Sequence, residues 1–254
     1  MDKYMAITTV LFDWDNTILN TNEYKELSKK AVIIGMQSEA TEKFRIKLSR
    51  KVLEETMEKI RKEKGSNYGK LIDETAMLVC KNLGINDQLK IDRIATAGIS
   101  AHHKTKYAYF AFLYNEVIET LTSLKKKGLL IGIATAGITH KQIDKINWAN
   151  LSMLIDEIFV TEQYVQENKL SQSIDIKTKE YFLWIASKLG RDVKEMIMVG
   201  DSYSNDIEPS KDAGLITVYL NRKCNSDEAK GPKADYMVED LTQIIDIINS
   251  INYK

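Results

Sequence analysis

Five short runs of nearly uninterrupted apolar residues constrain the fold of this chain more than any other feature. They cover residues 6–12, 129–134, 155–160, 195–199 and 215–220. A strand with one face in water would alternate apolar and polar side chains, whereas a strand of a parallel sheet is covered on both faces and stays apolar throughout. We therefore predict that these runs are the buried strands of one parallel sheet.

Helical segments lie between the predicted strands, and a glycine directly follows each of the three clearest ones. The segments are residues 117–127, 179–189 and 206–213, followed by Gly128, Gly190 and Gly214. Glycine adopts the left-handed backbone conformation that ends a helix more easily than any other residue. Strands that alternate with helices are typical of an α/β fold, and we predict a doubly wound parallel sheet.

A long helical stretch interrupts this alternation after the first strand. From residue 22 to residue 114 the pattern is helical with no convincing strand, and glycine-containing breaks at 65–69 and 84–87 divide it. Apolar residues at three- and four-residue steps give the second helix one apolar stripe. We predict an inserted domain of about four helices at residues 21–114, and an α/β domain formed by residues 1–20 and 115–254.

The composition argues against several classes of protein. The 254 residues include 36 lysines and arginines and 36 aspartates and glutamates, so the formal charges balance. The chain therefore lacks the excess positive charge that is typical of a protein that binds nucleic acid. No apolar run is long enough to cross a bilayer, and the N-terminus has neither the apolar length nor the cleavage site of a signal peptide. The two cysteines, Cys80 and Cys224, lie far apart, which argues against a disulfide framework. We expect a protein of the cytoplasm with no membrane partner.

Two acidic residues follow the first predicted strand and are separated by Trp14. Asp13 and Asp15 are two positions apart, so their side chains would point to the same side of an extended chain. They would lie at the carboxyl end of a parallel strand, where open α/β sheets bind their ligands. Taken alone, the pair is equally well explained as a polar strand end that caps the next turn.

A second acidic segment follows the fourth apolar run. Asp201 comes directly after Gly200, and Asn205 and Asp206 precede the next predicted helix. Two carboxylates in this arrangement suit a hard cation such as Mg²⁺, which prefers oxygen ligands. Asn205 or Asp206 would also serve to cap the N-terminus of that helix, so two explanations remain for Asp206.

Thr135 follows the second apolar run and precedes Ala136, Gly137 and a predicted helix. A hydroxyl group together with backbone N–H groups at a helix N-terminus can bind phosphate. The spacing from Gly132 to Gly137 resembles a nucleoside-triphosphate loop, but Ile138 replaces the lysine that such a loop requires. Taken alone, Thr135 is more simply explained as a structural cap.

The three polar segments lie at the ends of three predicted strands, and the carboxyl ends of parallel strands meet at one edge of a sheet. Together they contain what phosphoryl transfer requires. Two carboxylates would serve for attack and proton transfer, further carboxylates would hold a cation, and a hydroxyl with backbone amides would bind phosphate oxygens. The combination predicts a phosphoryl-transfer site at that edge.

These motifs resemble those of the haloacid dehalogenase superfamily, in particular its phosphatases with a helical C1-type cap after the first strand. The resemblance covers the whole α/β part, while the inserted domain matches the cap by position and helical character only. The first motif of the superfamily, D-x-D-x-T/V, matches residues 13–17, and its G-D-S motif with a downstream acid matches residues 200–206. The resemblance implies a Rossmann-like core, an aspartyl-phosphate intermediate and Mg²⁺ as the cofactor.

The resemblance also implies a role for each matching residue. Asp13 would be the nucleophile and a metal ligand, and Asp15 would be the general acid and base, with its main-chain carbonyl at the metal. Asp201 would bind the metal directly, and Asp206 would do so directly or through water. Thr135 and the backbone N–H of Ala136 would bind the phosphate.

Two departures from the superfamily pattern concern the phosphate site. Ala136 stands where asparagine is common, although its backbone N–H remains. The phosphate-binding lysine is usually followed by proline, and the corresponding segment, residues 175–182, contains no proline. We assign Lys177 to this role, with Lys169 and Lys179 as alternatives.

The predicted function is hydrolysis of a phosphomonoester, a small phosphorylated metabolite, by a magnesium-dependent phosphatase. A sugar phosphomutase of the same superfamily has the same motifs and stays an alternative. A haloacid dehalogenase and a phospho-aspartate module without turnover are further alternatives, although neither needs an acid at Asp15. The cap would select the substrate, but its sequence does not identify one, and the sequence does not indicate an oligomeric state.

Overall fold

The chain divides into two compact units in the computed structural model, which describes residues 6–65, 68–222 and 234–252. The α/β unit comprises Met1–Thr21 and Phe110–Lys254, and the helical unit comprises Asn22–Tyr109. The sequence placed the corresponding limits at 20/21 and 114/115. Residues 110–114 belong to the α/β unit because the two connecting segments pair there. Leu19 forms a bridge with Leu113, and the N–H of Asn20 donates to the carbonyl of Phe112 at 2.8 Å. Cys224 lies outside the described residues.

The helical unit is built from α-helices with one shared apolar core. Its described α-helices are α1 (Thr21–Phe44), α2 (Arg50–Lys64), α3 (Leu71–Asn82) and α4 (Gln88–Thr105). A 3₁₀ helix, Lys106–Phe112, begins in this unit and ends in the α/β unit. The predicted apolar stripe of the second helix is present, because Leu53, Met57 and Ile60 on α2 are buried. Among the described residues, no helix combines the length and the apolar character needed to cross a membrane.

The α/β unit contains a parallel sheet. Its described strands are β1 (Thr9–Phe12), β2 (Leu130–Thr135), β3 (Glu157–Val160), β4 (Met196–Gly200), β5 (Ile216–Leu220) and β6 (Tyr236–Val238). The strand order is β3-β2-β1-β4-β5-β6, and every neighbouring pair is parallel. This is the doubly wound order, in which the chain turns from one side of β1 to the other. The predicted fold class is therefore confirmed.

The α/β unit has helices between its strands and one helix after β6. They are α5 (Val117–Lys126), α6 (Thr139–Trp148), α7 (Thr161–Glu167), α8 (Lys179–Leu189), α9 (Glu208–Ala213) and α10 (Gln243–Asn252). Gly190 and Gly214 follow α8 and α9 with φ of 60° and 95°, which confirms the predicted glycine stops. The predicted helix at 206–213 is instead two elements, since a π-helical turn, Tyr203–Ile207, precedes α9.

The central strands form the interior of the α/β unit. Val10, Leu11 and Phe12 of β1 are 0% exposed, as expected for a strand covered on both faces. The five predicted strands are present, and each begins one to three residues later than predicted. β6 was not predicted because it has three residues and lies at the edge of the sheet, where burial is incomplete.

Candidate active site

Asp13 continues the central strand by one hydrogen bond. Its N–H donates to the carbonyl oxygen of Val199, the residue before the last of β4, at 2.9 Å. The chain then leaves the strand conformation, and Asn16 adopts a left-handed backbone with φ of 61°. Asp13 is 7% exposed, and Trp14 beside it is fully buried. The sheet therefore fixes the Asp13 carboxylate at its carboxyl edge.

Asp13, Asp201 and Asp206 form a carboxylate cluster. Each residue offers one oxygen, and these oxygens all lie within 4.8 Å of one another. The three residues come from two adjacent strands, because Asp13 follows β1 and Asp201 and Asp206 follow β4. Segments separated by nearly two hundred positions in the chain thus supply one site.

The π-helical turn directs the Asp206 carboxylate back towards the end of β4. Its Oδ2 accepts the N–H of Ser202 at 3.0 Å, and Asp206 is 1% exposed. Helix α9 begins after Ile207 without a side-chain cap. The explanation of Asn205 or Asp206 as the cap of that helix is therefore wrong.

Lys177 connects two members of the carboxylate cluster. Its Nζ lies 2.5 Å from Oδ1 of Asp13 and 2.5 Å from Oδ1 of Asp206, and the residue is 3% exposed. Lys169 and Lys179, the alternatives from the sequence, are both exposed. Of these three lysines, the structure therefore brings Lys177 to the cluster.

Asn205 holds the segment that carries Lys177. Its Oδ1 accepts the backbone N–H of Lys177 at 3.2 Å, and its Nδ2 donates to the carbonyl of Asp175 at 3.3 Å. One amide side chain thus contacts the backbone on both sides of Ile176. Because Asn205 directly precedes Asp206, the same turn positions the lysine and one of its carboxylate partners.

The electrostatics of the cluster indicate a shortage of positive charge. Burial raises the pKa of Asp13 well above its ordinary value, and the nearby carboxylates of Asp206 and Asp15 add to the effect while Lys177 opposes it. Burial lowers the pKa of Lys177, but the charges of Asp13 and Asp206 outweigh that effect, so its pKa is raised. Lys177 therefore stays an ammonium ion, and the cluster favours any further cation.

Asp201 shows the same shortage of positive charge and gives a testable prediction. Burial and then the charge of Asp206 raise its pKa from 3.8 to about 6. A raised carboxyl pKa in the folded state means that stability is lost as the pH rises through the window from 3.8 to about 6. Replacing Asp201 with asparagine is therefore expected to stabilise the metal-free protein at about pH 7.5 by on the order of 2 kcal/mol.

Urea unfolding in the presence of EDTA measures this effect at two pH values. At about pH 3, below both the ordinary pKa of 3.8 and the raised pKa of about 6, Asp201 is mostly protonated in the folded and the unfolded protein, so the Asp201→Asn variant is expected to match the wild type. A variant that is equally or less stable than the wild type at both pH values would contradict the inference that the ionised Asp201 carboxylate destabilises the folded protein.

Asp15 is held by two side chains outside the carboxylate cluster. The hydroxyl of Thr21 donates to its Oδ1 at 2.6 Å, and Nζ of Lys145 on α6 donates to Oδ1 and Oδ2 at 3.1 and 3.0 Å. Asp13 and Asp15 are two positions apart, but each carboxylate has its own lysine. The two predicted catalytic acids therefore have different electrostatic surroundings.

The loop after β2 is fixed by contacts from two helices. Thr135 is 1% exposed, and the carbonyl of Ala136 accepts Nε2 of Gln142 at 2.7 Å. The N–H of Gly137 donates to the hydroxyl of Thr161 at 3.0 Å. The Gly137 N–H is thus engaged within the protein, and the phosphate contacts of Thr135 and of the Ala136 N–H stay predictions from the sequence.

The N-terminus of α6 is also partly engaged. Its first residue, Thr139, donates its backbone N–H to Oε2 of Glu162 at 2.8 Å. A carboxylate at this position is favoured by the helix dipole. A phosphate at this edge would therefore be bound by the residues before α6 rather than by the first N–H of the helix.

The residues of the site fit a divalent cation such as Mg²⁺. When ionised, the carboxylates carry four negative charges, against two positive charges from the lysines that contact them within the described residues. The carboxylates are Asp13, Asp15, Asp201 and Asp206, and the lysines are Lys145 and Lys177. Carboxylate oxygens are the ligands that Mg²⁺ prefers, and one divalent cation would offset the remaining charge.

Two residues of the site were not identified from the sequence. Lys145 lies in the last turn of α6 and has no motif around it, and its proximity to Asp15 depends on how α6 packs. Arg222 follows β5, and its guanidinium donates to the carbonyl of Thr17 at 2.9 Å and contacts Glu116 at 2.5 Å. Arg222 thereby holds the segment that follows Asp15. Nothing in the local sequence distinguishes either residue from other basic residues.

The chain is similar to known proteins along most of its length. The family model of the haloacid dehalogenase-like hydrolases matches residues 7–214. The chain is 29% identical over 250 residues to glyceraldehyde 3-phosphate phosphatase of Methanocaldococcus jannaschii, covering 96% of this chain and 98% of that protein. It is 26% identical over 258 residues to N-acylneuraminate-9-phosphatase of Rattus norvegicus, covering 98% and 96%.

Solved structures show the same fold. The HAD-hydrolase YfnB from Bacillus subtilis, bound to magnesium, has a TM-score of 0.62 and 18% identity, covering 96% of this chain and 100% of that chain. A HAD phosphatase from Thermococcus onnurineus has a TM-score of 0.58 and 20% identity, covering 95% and 98%. At such low sequence identities, the solved structures show only that the fold is shared. The family match and the phosphatase relatives are the evidence for the activity. The chain therefore belongs to the haloacid dehalogenase-like hydrolases and is a phosphatase, a hydrolase of phosphoric monoesters.

Proposed function

We propose that this chain is a magnesium-dependent phosphatase that hydrolyses a small phosphorylated metabolite through a phosphorylated Asp13. The observation that carries the proposal is the pairing of Asp13 with the buried ammonium of Lys177, 2.5 Å away, beside Asp201 and Asp206. A nucleophilic carboxylate that attacks a phosphate dianion needs positive charge to reduce the repulsion between them. Lys177 and a cation in the carboxylate cluster would meet that need.

The metal site we propose consists of Asp13, Asp201, Asp206 and the main-chain carbonyl of Asp15. Its support is the set of oxygens within 4.8 Å of one another and the raised pKa values of Asp13 and Asp201. When bound, Mg²⁺ would offset negative charge on the phosphoryl group and on the carboxylates around it.

The protein side chains would carry out the two chemical steps. Asp13 attacks phosphorus in line, and the bond to the leaving oxygen breaks while Asp15 donates a proton to that oxygen. Asp15 then accepts a proton from a water molecule, which attacks the aspartyl phosphate and releases inorganic phosphate. Lys177 offsets charge in both steps, and Thr135 and the N–H of Ala136 bind phosphoryl oxygens.

We further propose that the inserted helices, residues 21–114, act as a cap over the reaction. A cap excludes bulk water while the aspartyl phosphate forms and contributes contacts that select the substrate. The names of the relatives suggest which substrates to test first, namely glyceraldehyde 3-phosphate and the 9-phosphate of an N-acylneuraminate. The use of only two cysteines supports the cytoplasm as the place of action.

Release of inorganic phosphate tests the proposal. The purified protein is incubated with p-nitrophenyl phosphate, the two named sugar phosphates and phosphoglycolate, with Mg²⁺ and with EDTA. We expect release from at least one sugar phosphate that requires Mg²⁺ and is restored when Mg²⁺ is added after EDTA. Release that continues unchanged in EDTA would overturn the magnesium dependence.

The same assay distinguishes the alternatives. A sugar phosphomutase would transfer labelled phosphate from a sugar bisphosphate to a sugar phosphate and release little inorganic phosphate. A haloacid dehalogenase would release halide from a 2-haloacid and no phosphate, and its chemistry would not need the carboxylate of Asp15. A phospho-aspartate module without turnover would release at most one phosphate per protein.

Gly200 gives a further prediction, because the Asp206 carboxylate occupies the space of a Gly200 side chain. A Cβ at this position would overlap the carboxylate, and Asp206 is 1% exposed and has little room to move. The Gly200→Ala variant is therefore expected to separate Asp206 from Lys177, lowering kcat/KM by about 10- to 100-fold and raising the Mg²⁺ concentration needed for half-maximal rate.

Titration of phosphate release with Mg²⁺ measures the effect of Gly200→Ala. Gly69→Ala is the matched control, because a Cβ at Gly69 would meet nothing within 4 Å. Wild-type kinetics in a folded Gly200→Ala variant would show that Asp206 is not needed where the structure places it.

A further inference from the structure

Lys145 is the second lysine that contacts a carboxylate of the site, and the proposed mechanism gives it no role. Its Nζ lies 3.1 Å from Oδ1 and 3.0 Å from Oδ2 of Asp15. The side chains are 22% and 33% exposed, and both residues belong to the α/β unit. The ammonium thus contacts both oxygens of the carboxylate proposed to act as general acid and base.

We infer that Lys145 is a positioning residue that fixes the orientation of the Asp15 carboxylate for proton transfer to the leaving group. The hydroxyl of Thr21 contacts Oδ1 alone, at 2.6 Å. A hydrogen bond to one oxygen leaves the carboxylate able to turn about its Cβ–Cγ bond, whereas contact with both oxygens sets its plane. This inference rests on the proposed function, in which Asp15 protonates the departing oxygen.

Helix α6 is suited to this task because it also holds the loop proposed to bind phosphate. Gln142, three positions before Lys145, donates to the carbonyl of Ala136 at 2.7 Å. Residues three apart lie on the same face of a helix. One face of α6 therefore fixes both the loop beside the phosphate and the carboxylate that would meet the leaving group, so the distance between them is set by a single rigid element.

Lys145 also keeps Asp15 distinct from the carboxylate cluster. The oxygens within 4.8 Å of one another belong to Asp13, Asp201 and Asp206, and Lys177 contacts two of these residues. Loss of the Lys145 ammonium would remove one attraction that holds the Asp15 carboxylate away from a metal in that cluster, and a carboxylate bound to the metal would be lost as a proton donor. Pairing with Lys145 opposes this movement.

The dependence of the rate on the leaving group separates this role from others. A nitrophenolate leaves without a proton, whereas an alkoxide needs a general acid. In the Lys145→Met variant, kcat/KM for an alkyl phosphate such as the preferred sugar phosphate is expected to fall by about 10- to 100-fold, and kcat/KM for p-nitrophenyl phosphate by less than about threefold.

Three further variants complete the experiment. Lys145→Arg is expected to recover most of the lost activity, since a guanidinium also contacts both oxygens of a carboxylate. Adding Lys145→Met to Asp15→Asn is expected to cause no further loss, because the group that Lys145 positions is then absent. Lys125→Met is the matched control, since Lys125 contacts Asp156 at 2.5 Å, with Asp156 also 33% exposed, away from the site.

Two results would overturn the inference. An equal loss with both substrates would show that Lys145 contacts the phosphoryl group or only supports the fold, and unchanged kinetics with both would show an ion pair without function. Failure of the proposed function is seen separately, as a wild-type enzyme that shows no Mg²⁺-dependent phosphate release.

Discussion

Replacing Asp13 with asparagine is expected to lower the rate of phosphate release by roughly four orders of magnitude or more. Asparagine has nearly the same size as aspartate, and the hydrogen bond from the N–H of residue 13 to the carbonyl of Val199 would remain. An amide oxygen, however, does not form the mixed anhydride with phosphate that a carboxylate forms. Steady-state phosphate release with Mg²⁺ gives the rate, and the mass of the intact protein after acid quenching during turnover shows whether a phosphoryl group is attached.

Wild-type protein is expected to carry the phosphoryl group in that quench and the Asp13→Asn variant to carry none. Asp235→Asn is the matched control. Asp235 lies directly before β6, and its carboxylate accepts the N–H of Thr217 at 2.9 Å and contacts Lys211. This control should stay within about threefold of wild-type activity. Activity of Asp13→Asn within about tenfold of the wild type would mean that another group attacks phosphorus.

Replacing Lys177 with methionine is expected to have the second-largest effect, and to affect both activity and stability. The ammonium lies 2.5 Å from Asp13 and from Asp206 and is almost fully buried, so its loss leaves two buried carboxylates facing each other. We expect kcat/KM to fall by roughly 100- to 1,000-fold. In EDTA, the free energy of unfolding is expected to fall by about 3–5 kcal/mol, as for other buried ion pairs that lose one partner.

Urea unfolding with EDTA and with Mg²⁺ measures the stability part of this prediction. Mg²⁺ is expected to restore some of the lost stability, because a cation in the cluster would offset the same carboxylates. Lys169→Met and Lys179→Met are the controls, since both side chains are exposed and their loss should change the free energy of unfolding by at most about 0.5 kcal/mol. A large loss of activity in either control, with Lys177→Met active, would transfer the phosphate-binding role to that lysine.

The fold could be predicted largely from local sequence patterns. Apolar runs gave the strands β1 to β5, because a strand covered on both faces consists mostly of apolar side chains. The same patterns missed β6, which is three residues long, and α10. Short elements at an edge depend on a sheet that is already formed, so their own sequence contains little information about them.

The π-helical turn before α9 shows another limit of the sequence. An acid before a helix commonly caps that helix, and this rule fails for Asp206 because its carboxylate accepts the N–H of Ser202 instead. Pro209 at the start of α9 and the absence of a side chain at Gly200 allow this arrangement. Only the packing of the turn against the end of β4 decides whether the Asp206 carboxylate caps α9 or accepts the N–H of Ser202.

By itself, the sequence determined that Asp13, Asp15, Thr135 and Asp201 would follow strands of one parallel sheet, because strand ends can be recognised from residues a few positions apart. The tertiary structure decided which lysine joins them. Lys177 meets Asp13 across 164 positions, and Lys145 meets Asp15 across 130. Such contacts depend on the loop before α8 and on the packing of α6, and a flexible, charged side chain leaves no periodic pattern in the sequence that would indicate its partner.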